Sequence, residues 1–154
     1  MNELALDRVD EARMLQLGKS FGRSLRPGDT VLCFGELGAG KTTLIRAILA
    51  YLVDENASFP SPTFVLLRSY LDSIYHLDLY RLTVPEEFLE LDPETLFSEE
   101  AMTLVEWPER ALAYMPSDAL KVHFFVVEVG RRLLLKASGP RSGALLHRIQ
   151  EDFA

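Results

Sequence analysis

Residues 35–43 read GELGAGKTT and follow a short apolar run. Gly35 and Gly40 stand at the fixed spacing of the pattern GxxxxGK(S/T), and Lys41 and Thr42 complete that pattern. Glycines let the chain turn tightly and point successive backbone N–H groups at an anion, and the lysine adds a positive charge. The segment therefore predicts a loop that binds the phosphates of a nucleotide.

Catalysis of phosphoryl transfer also requires a metal ion and a group that orients the attacking atom. Thr42 is suited to present its hydroxyl to Mg²⁺, and the helix that begins here directs its positive end at the same phosphates. Two acids follow strand-like segments, Glu106 at the end of MTLVE and Asp78 within HLDLYR. From the residues alone their roles are interchangeable. The structural alternatives are an ordinary strand end for Glu106 and an ion pair with Arg81 for Asp78.

The other side chains that could take part in chemistry or binding give weaker signals. Phosphoryl transfer has little need of a general base, so His76 is expected to pack or to form a hydrogen bond, and no histidine is assigned a role. Trp107 is the only tryptophan and follows Glu106 directly. It is expected either to cover the nucleotide site or anchor a partner, or to pack in the core.

The hydrophobic pattern predicts the elements that position these residues. A helix over residues 9–25 precedes a buried strand, and the glycine loop joins that strand to a second helix. Two strands separated by Leu71 to Ser73 form a hairpin or neighbouring strands, and a helix opens at Pro85. The segment that ends at Glu106 is a further strand, and a hairpin and a closing helix end the chain. The predicted bounds are 30–34, 42–52, 63–67, 74–79, 102–106, 119–129, 132–137 and 141–150.

Length and composition set the class of protein. The chain has 154 residues, of which 48% are hydrophobic, so we expect one domain over residues 1–154. The net charge of −7 repels the phosphates of nucleic acids, so we do not expect this protein to bind nucleic acid strongly by itself. Cys33 is the sole cysteine and lies in an apolar run, so it is expected to be buried, in a protein of the reducing cytoplasm. The N-terminal segment lacks the apolar stretch of a signal peptide or membrane span.

Four segments together resemble the bacterial TsaE family, the ATPase of the tRNA threonylcarbamoyladenosine pathway. They are GELGAGKTT, SPTF at 61–64, HLDLYRL at 76–82 and LVEWPER at 104–110. The resemblance covers nearly the whole chain. It implies an α/β fold with a P-loop NTPase-like sheet flanked by helices, a C-terminal β-hairpin and a closing helix. It also implies that the protein binds ATP and Mg²⁺ and that by itself it hydrolyses ATP slowly. The resemblance further implies that it works with TsaB and TsaD, and that it encounters tRNA only through the complex with them.

The same resemblance implies roles for individual residues. Lys41, Asp78 and Glu106 are carried over as catalytic or switching residues, and Thr42 and Glu106 as metal ligands. SPTF resembles a segment that responds to nucleotide, and Asp92 stands where the family often has glycine. The residues implied to contact the nucleotide are Leu37, Gly38, Ala39, Gly40, Lys41, Thr42, Thr43, Glu11, Trp107, Glu109 and Arg131.

Other functions of a phosphate loop remain open at this point. A small-molecule kinase would need an acceptor pocket and an arginine-rich lid, whereas Arg81 and Arg110 are scattered. A GTPase is disfavoured because no NKxD-type segment occurs in the sequence. A third class is a binding module that uses ATP as a clamp.

Overall fold

The computed structural model describes residues 2–59 and 66–153. Within these ranges one mixed sheet contains seven strands. The strands are β1 (Glu3–Val9), β2 (Thr30–Phe34), β3 (Leu67–Tyr70), β4 (Ile74–Asp78), β5 (Met102–Glu106), β6 (Leu120–Val126) and β7 (Arg131–Ala137). The α-helices are α1 (Glu11–Ser24), α2 (Lys41–Leu52), α3 (Pro93–Leu96) and α4 (Pro140–Phe153), and 3₁₀ segments span Pro85–Leu91 and Pro108–Tyr114.

The centre of the sheet is parallel and its edges are antiparallel. The spatial order is β1-β7-β6-β2-β5-β4-β3, in which β6, β2, β5 and β4 run in the same direction. β7 and β1 continue one side as antiparallel strands, and β3 closes the other. Since parallel strands end at the same edge, the ends of β2, β4 and β5 meet there.

The two faces of the sheet are covered by different elements. α1, α2 and α4 pack over the face that contains Val31, Cys33 and Leu104. α3 and the two 3₁₀ segments supply side chains to the other face, around Leu32 and Val105. Because both faces are covered, the central strands β2 and β5 are buried almost throughout, which accounts for their mostly apolar sequences.

The predicted α/β fold with a terminal hairpin and closing helix is confirmed. The bounds of β2 and β5 agree with the prediction, β6 and β7 form the hairpin, and α4 follows it. Cys33 is fully buried, and burial raises the pKa of its thiol. No helix in the described ranges is long and apolar enough to cross a membrane.

The prediction was wrong or incomplete at several elements. β1 was missed because it is an edge strand in which Ala5 and the adjacent pair Asp7 and Arg8 break the alternation of polar and apolar residues that marks a half-buried strand. β3 starts at Leu67, where the predicted strand was to end, and SPTF at 61–64 lies outside the described residues. The predicted helix that opens at Pro85 is a 3₁₀ segment. It ends at Leu91, and the residue that caps it, Asp92, has a positive φ of 58°, a conformation that favours glycine.

The close contact between α1 and α2 gives a prediction about stability. A Cβ at Gly18 would overlap the Cβ of Ala47 and lie 3.1 Å from its carbonyl carbon. Gly18→Ala must push the helices apart, so we expect it to lower the free energy of unfolding by about 1–3 kcal/mol. Gly143→Ala in α4 is the matched control. A Cβ there meets nothing within 4 Å, and the change should stabilise by about 0.5–1 kcal/mol.

Urea denaturation of both variants measures this difference. Equal effects of the two substitutions would show that the approach of α1 to α2 is not tight.

Candidate functional site

The loop between β2 and α2 has the backbone that its glycines allow. Gly38 and Gly40 have φ values of 78° and 112°, a region that side chains with a Cβ rarely adopt. Gly40 is the N-cap of α2 and has no side chain with which to satisfy the first amides of the helix. A Cβ at Gly40 would also lie 3.0 Å from the methyl group of Met14. The first turn of α2 is therefore open to an anion.

A cavity of about 390 Å³ lies at this loop. Its lining combines the loop with the ends of β4 and β5 and the residues that follow them. The lining residues are Leu37, Gly38, Ala39, Gly40, Lys41, Thr42, Thr43, Asp78, Tyr80, Arg81, Glu106 and Trp107. The structure thus brings together the predicted phosphate loop, both candidate acids and the tryptophan.

Glu106 is the buried acid of this cavity. It is the last residue of β5 and is 2% exposed. The Thr42 hydroxyl donates a hydrogen bond to Glu106 Oε1 at 2.7 Å, and His76 Nε2 lies 2.7 Å from Glu106 Oε2. A buried carboxylate needs such partners to offset the loss of water. Two residues that the sequence places 64 positions apart, Thr42 and Glu106, are thus in direct contact.

Asp78 lies beside Glu106 at the same edge. The two residues are register partners in the parallel pair β4 and β5. Asp78 is partly exposed, and its Oδ1 accepts a hydrogen bond from the backbone N–H of Tyr80 at 3.1 Å. The two acids therefore differ in environment: one is buried against the loop and the other is nearer to solvent.

Lys41 is held against the ring of Trp107. The ammonium lies 3.6 Å from the ring centroid and donates a hydrogen bond to the carbonyl of Gly35. Burial lowers the pKa of Lys41, although the carboxylates of Glu106 and Glu109 act in the opposite direction. Tyr80 packs on the same indole at a centroid distance of 4.8 Å. The lysine is thus fixed by aromatic and backbone contacts at the wall of the cavity.

A second cavity of about 440 Å³ shares Gly38, Gly40 and Thr43 with the first. Glu11, at the start of α1, and Arg131, at the start of β7, both line it. Arg131 donates a hydrogen bond to the carbonyl of Gly38 at 3.2 Å. Its Nε is buried and has no hydrogen-bond partner among residues 2–59 and 66–153. The loop thus separates two cavities large enough for different parts of one ligand.

Glu109 is the one predicted nucleotide contact that does not line a cavity at the loop. Its side chain is exposed and lines neither of the two cavities described above. It is the second residue of the 3₁₀ segment that begins at Pro108. Its only described link to the site is its effect on the pKa of Lys41.

The sequence reasoning gave no role at the site to three residues that the structure places there, although it expected His76 to pack or to form a hydrogen bond, as it does. Tyr80 and Arg81 line the first cavity, and His76 contacts Glu106. The signal was present for His76, because strand residues two apart share a face and His76 precedes Asp78 by two. The contact with Glu106 could not be predicted, since it depends on β4 pairing with β5 in this register.

The residues present fit a magnesium ion shared with phosphates. No cluster of three or more His, Cys, Asp or Glu side chains suited to a metal occurs in the described ranges. Mg²⁺ typically uses one or two protein oxygens together with phosphate oxygens and water. The adjacent oxygens of Thr42 and Glu106 are such a pair, and they lie beside the open first turn of α2.

The parallel central strands, the glycine loop and the acid at a strand end define a P-loop NTPase-like α/β protein. Residues 9–133 match the sequence model of a protein family. That family is described as threonylcarbamoyl adenosine biosynthesis protein TsaE. The chain therefore belongs to the TsaE family.

Individual relatives agree with the family match. A Rickettsia bellii protein named tRNA threonylcarbamoyladenosine biosynthesis protein TsaE is 40% identical over 126 residues, which are 80% of this chain and 87% of that one. A Haemophilus influenzae protein of the same name is 35% identical and covers 83% of this chain and 85% of its own.

A crystal structure of Bacillus subtilis YdiB has a similar fold. It superposes with a TM-score of 0.78 at 23% identity and covers 97% of this chain and 95% of its own. At this identity the likeness concerns the fold alone.

Proposed function

We propose that this protein is a Mg²⁺-dependent ATPase of tRNA threonylcarbamoyladenosine biosynthesis that works in the cytoplasm with TsaB and TsaD. The observation that carries the proposal is the 2.7 Å contact between Thr42 and Glu106 at the mouth of the glycine loop. That contact joins the two residues best suited to hold magnesium next to a helix end suited to phosphate.

In this proposal each part of the site has a separate task. The amides of residues 37–42 and the ammonium of Lys41 bind the phosphates, and Thr42 and Glu106 hold the metal. Bound Mg²⁺ would neutralise charge on the β and γ phosphates. Asp78, the more exposed acid, orients the attacking water. Glu11 and Arg131 contact the nucleoside in the second cavity.

The place of this activity in tRNA modification is supported by the family and by charge. The relatives described above are named for threonylcarbamoyladenosine biosynthesis. The net charge of −7 does not suit direct binding of tRNA. We therefore assign contact with tRNA to the partner proteins, and to this chain the nucleotide step.

Reconstitution tests the proposal. ATP turnover and threonylcarbamoyladenosine formation are measured with this protein alone, with TsaB and TsaD, and with all three. We expect slow release of ADP and phosphate alone and dependence of multiple-turnover modification on all three proteins. Modification that proceeds equally well without this protein would contradict the proposed role. ADP without free phosphate would indicate transfer to an acceptor, which is the reaction of a kinase.

Trp107 provides an intrinsic probe of the proposed nucleotide site. It is the only tryptophan, lines the first cavity and lies 3.6 Å from the ammonium of Lys41. Phosphates that attract this ammonium should change the surroundings of the indole, so its emission should change in a saturable way as Mg·ATP is added. Adenosine without phosphates is the control. An emission that is insensitive to saturating Mg·ATP would contradict the placement of phosphates in this cavity.

A further inference from the structure

His76 and Glu106 form a buried polar pair beneath the cavity. Their side chains are 1% and 3% exposed, and His76 Nε2 lies 2.7 Å from Glu106 Oε2. A carboxylate only accepts hydrogen bonds, so Nε2 carries the proton and donates it in this contact. The other ring nitrogen, Nδ1, has no hydrogen-bond partner in the part of the chain that the structure describes. Among the described residues, Glu106 therefore supplies the hydrogen bond that orients the imidazole ring.

The sheet explains how the two side chains meet. His76 pairs with Leu104, and Asp78 pairs with Glu106, in the parallel register of β4 and β5. His76 is therefore the diagonal neighbour of Glu106 on one face of the sheet. The imidazole lies on the buried side of the carboxylate, and Thr42 contacts the other oxygen from α2. The two hydrogen bonds, one from β4 and one from α2, together fix the rotation of the carboxylate.

We propose that His76 is a positioning residue, whose Nε2–H holds one oxygen of Glu106 so that the other faces Thr42 and the metal-binding edge of the cavity. The inference rests on the proposed function, because it assigns Glu106 to magnesium. Hydrogen bonds to the outer side of a metal ligand orient it, and their loss typically lowers metal affinity about 10–100-fold. Without His76, the buried carboxylate loses a partner and its oxygens are free to rotate away from Thr42.

The test is the magnesium dependence of ATP binding. Calorimetry gives the ratio of the ATP dissociation constant in EDTA to that in Mg²⁺, for wild type and two variants. His76→Leu removes the donor while filling much of the ring volume, and His76→Gln retains an N–H at a similar reach. We expect the ratio to fall about tenfold or more in the leucine variant and to stay within about threefold of wild type in the glutamine variant.

A double-mutant cycle tests whether His76 acts through Glu106. In a Glu106→Ala background, His76→Leu should change the ratio by less than about twofold, since the group to be positioned is absent. Additive effects of the two substitutions would overturn the proposal. So would a wild-type ratio in His76→Leu, or an equal loss in the folded glutamine and leucine variants.

Thermal unfolding of each variant verifies that it is folded. If His76→Leu does not fold, His76→Asn replaces it, because its amide overlies Nδ1 and does not reach Glu106. The asparagine variant should show the same loss, and a wild-type ratio there would overturn the proposal. If the dissociation constant of ATP from the wild-type protein is the same in EDTA and in Mg²⁺, the proposed function itself is contradicted.

Discussion

Lys41→Ala should abolish the thermal stabilisation that Mg·ATP gives to the wild-type protein. At a ligand concentration of 100 times Kd, binding to the folded state adds about 2.7 kcal/mol of stability. For a chain of this size that corresponds to a rise in Tm of about 5–10 °C. Among the described residues Lys41 is the only lysine that lines the first cavity, so the variant should lose a charged partner of the phosphates.

The comparison must use the shift in Tm and not Tm itself. Lys41 also hydrogen-bonds to Gly35 and packs on Trp107, so its removal lowers the stability of the protein without ligand. Lys19→Ala is the matched control, because it removes the same charge from an exposed position of α1 that lines neither cavity at the loop. If Lys41→Ala shows the same ligand-induced rise in Tm as the wild-type protein, the assignment of the phosphates to this loop is contradicted.

Glu106→Gln should reduce ATP hydrolysis by about a hundredfold or more while changing ATP affinity in EDTA by less than about threefold. The substitution keeps the volume and a carbonyl oxygen but removes the negative charge that we assign to magnesium. The phosphate loop itself is unchanged. A large loss in kcat with little loss in metal-free binding is therefore the signature of a metal ligand.

Glu106→Gln has a control in Glu90→Gln, at an exposed position outside both cavities at the loop. Asp78→Asn distinguishes the two acids, because it should lower kcat without changing the magnesium dependence of binding. Wild-type turnover in Glu106→Gln, together with loss of magnesium dependence in Asp78→Asn, would exchange the roles proposed here.

The sequence predicted the parts of this protein whose information is local. The phosphate loop is encoded in adjacent residues, and the buried strands β2 and β5 show as short, mostly apolar runs. β1 could not be recognised in this way, because it is stabilised by pairing with β7, which lies more than a hundred residues further along the chain. An edge strand whose polar and apolar residues do not alternate strictly has little local signal of its own.

The candidate site shows the same division. The types of Asp78 and Glu106 suggested a metal site, but their environments depend on the order of strands in the sheet. Burial of Glu106 against Thr42 and His76 distinguishes it from Asp78, and neither contact is encoded in sequence spacing. Glu109, which the family resemblance implied as a nucleotide contact, is exposed and lines neither cavity at the loop, so its role stays a prediction. The single-domain organisation and the roles of individual residues stay predictions.

Calorimetric titration of the folded protein with ATP in the presence of Mg²⁺ tests the central claim most directly. Two temperatures are needed, because a binding enthalpy near zero at one of them would hide the reaction. We predict saturable binding of one ATP per chain that is weakened in EDTA and lost in Lys41→Ala. Absence of heat at both temperatures, with protein shown to be folded, would contradict the assignment of the glycine loop to a nucleotide.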